Sequence, residues 1–139
     1  MKLKQNLGDG QKLFIGIDVH LKTWHVTIRT KDIEIFCANI PGNWKSLKKL
    51  LDEYQEHELH VVYEAGYSGF WLHDNLLEVG IQCIVTPPSL IPKEYGSHVK
   101  TDRLDSKKLA QLLSKDLLRE IYVPTEEELY HRQVVRRRR

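Results

Sequence analysis

The stretch Leu13-Phe14-Ile15-Gly16-Ile17-Asp18-Val19 decides how this chain is read. Its apolar run predicts a buried strand, and Asp18 interrupts that run close to the strand's end. Asp18 shares a face with Phe14 and Gly16, because side chains alternate along a strand. Gly16 removes a side chain beside the acid, which leaves room for a ligand or for another backbone.

Outward from this strand, His20-Leu21-Lys22-Thr23 reads as a turn. Trp24, Val26 and Ile28 then alternate with His25, Thr27 and Arg29, the pattern of a strand with one wet face. Residues 33–37 (IEIFC) form a third strand, so the first three are expected to make an antiparallel meander. Pro41-Gly42 breaks the chain, and Asn43 is placed to cap a helix carrying Trp44, Leu47, Leu50, Leu51 and Tyr54 at helical spacing. A strand over 60–64 (HVVYE), a glycine-containing turn, a helix through Phe70, Leu72, Leu76 and Val79 closed by Gly80, and a strand over 81–85 follow. After a loop containing Pro87-Pro88 and Pro92, a helix is expected from Asp102 to Lys115. A short extended piece over 121–123 precedes a last helix opening at Thr125-Glu126-Glu127-Glu128. Three antiparallel strands followed by β-α units imply a mixed five-stranded sheet with helices on both faces, an α/β fold of ribonuclease-H-like order.

Composition excludes several classes. With 139 residues, 41% hydrophobic and 29% charged, the chain is one globular domain in size and balance. No apolar run reaches the ~20 residues needed to cross a bilayer, and the opening MKLKQNLGDG has no signal-peptide core. Cys37 and Cys83 stand far apart without a CxxC, which argues against a zinc ribbon or a disulfide framework and fits a reducing cytoplasm. Net charge is +2, but residues 92–139 hold 12 Lys and Arg against 8 Asp and Glu and end on Arg136-Arg137-Arg138-Arg139. A basic end on a near-neutral body points to nucleic acid, although such a run alone is commonly a solvated face.

Four acids break apolar patterns. Glu64 ends its strand just before a turn, and neighbouring strand ends can bring Asp18 and Glu64 together, although each alone also reads as a solvated strand-end acid. Asp102 and Asp105 are three apart and share a helical face. That spacing also resembles a helix-start cap. Asp105, Leu109, Leu112, Leu113 and Asp116 nevertheless continue one stripe, and an acid on a packed stripe is costly unless paired or metal-bound. Four converging carboxylates need a cation, and hard oxygen donors without a His/Cys cluster select Mg²⁺ or Mn²⁺. Two such ions about 4 Å apart would clamp a phosphodiester for phosphoryl transfer. Lys93, His98, Lys100, Arg103, Lys107 and Lys108 surround the acidic pair and would hold phosphates.

These residues resemble a known family. Gly16-Ile17-Asp18-Val19-His20, Trp24-His25-Val26, Tyr63-Glu64-Ala65-Gly66 with Gly69-Phe70 and Leu72-His73, Pro88-Ser89, Ile91-Pro92 and Val99-Lys100-Thr101-Asp102-Arg103-Leu104-Asp105 are similar to blocks of the insertion-sequence transposases of the IS-one-ten type, which include the Piv-type DNA invertases. The similarity runs from Phe14 to Arg139. It implies a RuvC-like, ribonuclease-H fold whose metal-binding tetrad is Asp18, Glu64, Asp102 and Asp105, with DNA as substrate. Lys100, Arg103, Lys107 and Lys108 are the expected nucleic-acid contacts.

Members are bacterial or archaeal recombinases that work as homo-oligomers on paired DNA sites, and some are guided by a structured RNA. They continue through a helical linker into a C-terminal domain with a nucleophilic serine. The resemblance therefore implies a polar leader over 1–12, a catalytic domain over 13–124, and the start of the linker over 125–139. As an N-terminal domain alone, the chain is expected not to recombine DNA by itself. Ser106 stands where the family usually has Ala, a departure expected to be harmless.

Two other readings use the same residues. In a non-catalytic nucleic-acid-binding module on this scaffold, the acids would be structural and the basic flank would carry affinity. A sugar-kinase half of the actin-like kind would require a glycine-rich phosphate loop and a second similar half, and neither is present in the sequence. The tryptophans Trp24, Trp44 and Trp71 read as packing. His20 and His73 are placed to approach the acids without being assigned a role.

Overall fold

A computed structural model describes residues 11–66, 69–87, 105–118 and 120, together with the backbone of 90–92 and 99–101. Its elements are β1 (Lys12–Val19), β2 (Thr23–Arg29), β3 (Glu34–Pro41), α1 (Trp44–Asp52), β4 (Glu58–Glu64), α2 (Trp71–Glu78), β5 (Gln82–Thr86), β6 (Leu90–Pro92), β7 (Val99–Thr101) and α3 (Ser106–Ser114).

Strands β1 to β5 form one sheet in the order β3-β2-β1-β4-β5. The first three strands are antiparallel neighbours, whereas β4 runs parallel to β1 and β5 parallel to β4. This is the expected mixed, ribonuclease-H-like sheet. β1 lies at its centre, which is why its sequence is apolar almost throughout: Leu13, Ile15 and Ile17 are fully buried on one face. On that face they pack with Leu47 and Leu51 of α1 and with Leu72 and Leu76 of α2. The opposite face carries α3, whose Leu109 and Ala110 lie against Gly16.

Local chemistry sets the helix ends. Asn43 Oδ1 accepts from the Ser46 amide at 2.8 Å, so the predicted cap of α1 is present. Gly80 adopts φ 84° after α2, and the amides of Gly80 and Ile81 reach back to the carbonyls of Leu77 and Leu76. A left-handed residue closes the helix in this way, and glycine takes that conformation without a Cβ penalty.

Several boundaries differ from the sequence expectation, among them the start of β4, at Glu58 rather than His60. The third strand continues to Pro41 because the whole of β2, from Thr23 on, offers it partners. Part of the expected loop after β5 is a short antiparallel hairpin, β6 with β7. The last described helix begins at Ser106 rather than at Asp102. Of the leader expected over 1–12, residues 1–10 lie outside the described residues and Lys12 already belongs to β1. The extended piece over 121–123 and the helix expected from Thr125 also lie outside the described residues.

Candidate active site

The centre of the sheet brings Asp18 and Glu64 together. In the parallel pairing of β1 with β4, Ile17 stands opposite Tyr63. One residue further along, Asp18 and Glu64 are level on adjacent strands, about 4.8 Å apart along the hydrogen-bonding direction. By strand alternation both occupy the face of Gly16, the one that α3 covers. The same row continues to His25 opposite Asp18 on β2, to Asn39 opposite His25 on β3, and to Thr86 opposite Glu64 on β5.

The environments of the two acids differ. Glu64 is 6% exposed, one of the few charged groups in the interior. Asp18 is half-buried, and its Oδ2 accepts from Nε2 of the more exposed His20 at 3.0 Å. His20 therefore does approach an acid. His73 instead lies on α2, with Nδ1 at 3.2 Å from Asp74 Oδ1 and its backbone amide donating to the Tyr63 hydroxyl. Tyr63 in turn donates to the Gly69 carbonyl at 2.9 Å. The chain leaving Glu64 is thus tied to the start of α2. Burial pushes the Tyr63 phenol well above its ordinary pKa, so it stays a neutral donor.

The room beside Asp18 is taken by backbone. A Cβ placed on Gly16 would stand 2.7 Å from the Ala110 nitrogen and 2.9 Å from the Leu109 Cβ, with the Ser106 carbonyl closer still. The first turn of α3 therefore lies directly on β1, two residues from Asp18.

Asp105 differs from its expected setting. It is the exposed N-cap of α3, with extended backbone (φ −77°, ψ 171°) and Oδ1 accepting from the Lys108 amide at 2.8 Å. The stripe that packs on the sheet is Ser106, Leu109 and Ala110, and Asp105 is not part of it. Asp116 likewise falls past the helix, with φ 57°. The physical reason is the unpaired amides of a helix start. A carboxylate satisfies one of them by ending the helix, whereas extending the helix through Asp105 would bury its charge.

Asp102 and Arg103 lie outside the described residues, and Lys100 is described in backbone only. Lys107 and Lys108 are exposed on the first turn of α3. Among the described residues, no group of three or more His, Cys, Asp or Glu side chains is arranged to hold a metal ion. The structure thus juxtaposes two of the four expected acids and places a third at the start of the helix on the same face. As donors, the level pair Asp18 and Glu64 offers hard carboxylate oxygens, which suit Mg²⁺ or Mn²⁺ and suit softer metals poorly.

Ser106 is the residue that sequence reasoning undervalued. It is fully buried, and its Oγ makes a short hydrogen bond with His25 Nδ1 and a 2.8 Å bond with Thr27 Oγ1. Its partners are 79 and 81 residues away in sequence, so no local spacing could reveal them. Trp24 is buried and Trp44 packs half-buried against the core, as expected, whereas Trp71 is exposed, its ring 6.0 Å from that of Trp24. No helix among the described residues is long and apolar enough to cross a membrane.

Comparison with known proteins gives the site a context. Residues 15–139 match the family described as transposase, of the DEDD, IS110 type. The chain is 32% identical over 107 residues to the transposase of insertion sequence element IS1533 from Leptospira borgpetersenii, covering 74% of this chain and 31% of that protein. It is also 32% identical over 139 residues to a Sinorhizobium fredii protein carrying the name transposase y4qE, covering 95% of this chain and 35% of that protein. The chain therefore spans about a third of the length of these curated relatives.

Proposed function

Since the chain belongs to the DEDD transposase family of the IS110 type, we propose that it carries the metal-dependent phosphoryl-transfer site of a DNA transposase. The observation that supports this most directly is the level placement of Asp18 and Glu64 on the central parallel strands, with Glu64 buried. Ligands in α/β sheets gather at the carboxyl ends of neighbouring strands, and these two acids occupy that position.

Asp18, Glu64, Asp102 and Asp105 would hold Mg²⁺ or Mn²⁺, which when bound supplies Lewis-acid stabilisation of charge on a phosphodiester undergoing displacement. The chain's own groups have distinct tasks around that site. Glu64, held in the interior, offers its carboxyl oxygens from a fixed position. His20 donates to Asp18 and steadies its orientation. Lys107 and Lys108, exposed beside Asp105, meet the phosphate backbone together with Lys100 and Arg103, and so bring DNA to the carboxylates without reading its sequence. On this reading residues 13–124 form the catalytic unit and 125–139 begin a linker towards a further domain. DNA is the substrate, and self-association and a structured guide RNA belong to the same scheme.

The test is a Mn²⁺ titration of the chain and of Asp18→Asn and Glu64→Gln, followed by electron paramagnetic resonance, with duplex-DNA binding measured in parallel. Mn²⁺ binding in the parent, lost in both variants while the melting temperature stays within a few degrees, is the expected result. Mn²⁺ and DNA binding both unaltered by the two amides would remove the catalytic role and make this a non-catalytic nucleic-acid-binding module.

A further inference from the structure

Beneath α3, four side chains close into a hydrogen-bonded ring. His25 Nδ1 meets Ser106 Oγ, and Ser106 Oγ lies 2.8 Å from Thr27 Oγ1. The Thr27 hydroxyl donates to Cys37 Sγ at 3.4 Å, and Cys37 Sγ lies 3.6 Å from His25 Nε2. The direction of one bond orders the others. With the Thr27 proton given to Cys37, Ser106 donates to Thr27, His25 Nδ1–H donates to Ser106, and the Cys37 thiol donates to His25 Nε2. Each group then gives one hydrogen bond and accepts one, which needs only a neutral imidazole protonated on Nδ1.

The ring sits at the carboxylate row. His25 is opposite Asp18, Thr27 is opposite Gly16, and Cys37 is opposite Thr27. Its one member outside the sheet, Ser106, directly follows Asp105. The apolar contact of Leu109 and Ala110 with Gly16 brings α3 close to β1. A surface without a side chain, however, offers nothing for a helix to lock into, so that contact does not fix where α3 stops along the strand. Directional bonds to a fully buried hydroxyl do fix it, because sliding the helix would strip Ser106 Oγ of both its partners in the interior, while His25 and Thr27 would each lose one of their two.

We propose that His25, Thr27, Cys37 and Ser106 form a positioning ring that clamps the first turn of α3 to the sheet and so sets where Asp105 meets Asp18 and Glu64. This rests on reading those acids as a metal site. The ring then acts on metal affinity through Asp105 without touching the metal.

The experiment compares the full chain with Ser106→Ala, Thr27→Val and, as a control on the site, Asp18→Asn. Two readouts are taken: Mn²⁺ affinity, and amide hydrogen exchange in the metal-free protein at Lys108 and Leu109, whose amides bond to the Asp105 side chain and carbonyl. A clamp that works through the ligand shell predicts Mn²⁺ binding weakened by about tenfold in both ring variants. It also predicts faster exchange at these two amides, with the melting temperature shifted by only a few degrees. Unchanged exchange together with Mn²⁺ affinity within a factor of two of the parent would overturn the proposal. Should Ser106→Ala fail to fold, Thr27→Val, which preserves side-chain shape, gives the decision. Absence of any Asp18-dependent Mn²⁺ binding in the parent would sink the metal reading alone. The exchange data then judge the clamp: acceleration upholds it, and no change overturns it.

Discussion

Gly16 and Ala110 stand in a relationship that only glycine permits: a Cβ on Gly16 would lie 2.7 Å from the Ala110 backbone nitrogen. Real Cβ atoms do not approach backbone so closely, and backbone cannot swing aside as a flexible side chain can. The close approach of α3 to the central strand is therefore written into one residue.

Gly16→Ala is accordingly expected to displace α3. Overpacking a core costs about 1–3 kcal/mol, and here the obstacle is a helix backbone, so the upper part of that range is expected. Urea unfolding at neutral pH measures it. The same variant is expected to lose the protection of the α3 amides against hydrogen exchange while those of β2 and β3 keep theirs.

Lys107 and Lys108 are exposed side chains, while the capping bond at Asp105 uses only the Lys108 backbone amide. Replacing both lysines with Ala should leave the melting temperature within a few degrees and weaken duplex-DNA binding equally for unrelated sequences. Each lost phosphate contact lowers the slope of log K against log salt by roughly 0.9. Binding isotherms at several salt concentrations check this, and an unchanged slope would remove these lysines from the DNA path.

Tyr63 gives a pH dependence. Burial raises its folded-state pKa, so the folded protein keeps the phenol neutral where the unfolded chain has begun to ionise. The unfolded state then holds fewer protons, and stability present below about pH 10, the ordinary tyrosine value, falls as pH rises beyond it. Tyr63→Phe loses both the bond to the Gly69 carbonyl and the one from the His73 amide, about 2 kcal/mol at neutral pH. Its urea midpoint should fall less steeply above pH 10 than that of the parent. Burial raises Cys83 and Tyr54 as well, so some alkaline loss persists in the variant.

The sheet and the Asp18–Glu64 pair were legible because strand alternation is local: a period of two assigns each residue a face, and element order supplied the neighbours. Asp105 was misread for a related reason. Its spacing to Leu109 and Leu112 fits a helical stripe, but periodicity does not show where a helix starts, and a capping carboxylate fits the same spacing. The β6–β7 hairpin hid behind Pro87, Pro88 and Pro92, which signal a loop as strongly as a short edge pairing. Ser106 carried no signal, since a serine in a polar-looking helical turn gives no hint of partners on β2.

The pairing of β1 with β4 also orders events in time. Strands β1, β2 and β3 can pair as successive hairpins while the chain is still being made, but Asp18 gains Glu64 beside it only after α1 has formed the crossover and β4 has returned to the centre. The helix that seals this face comes later still in the chain. Until β4 is made, Asp18 therefore lacks Glu64 beside it, and the paired carboxylates arise only as the second half of the sheet is laid down.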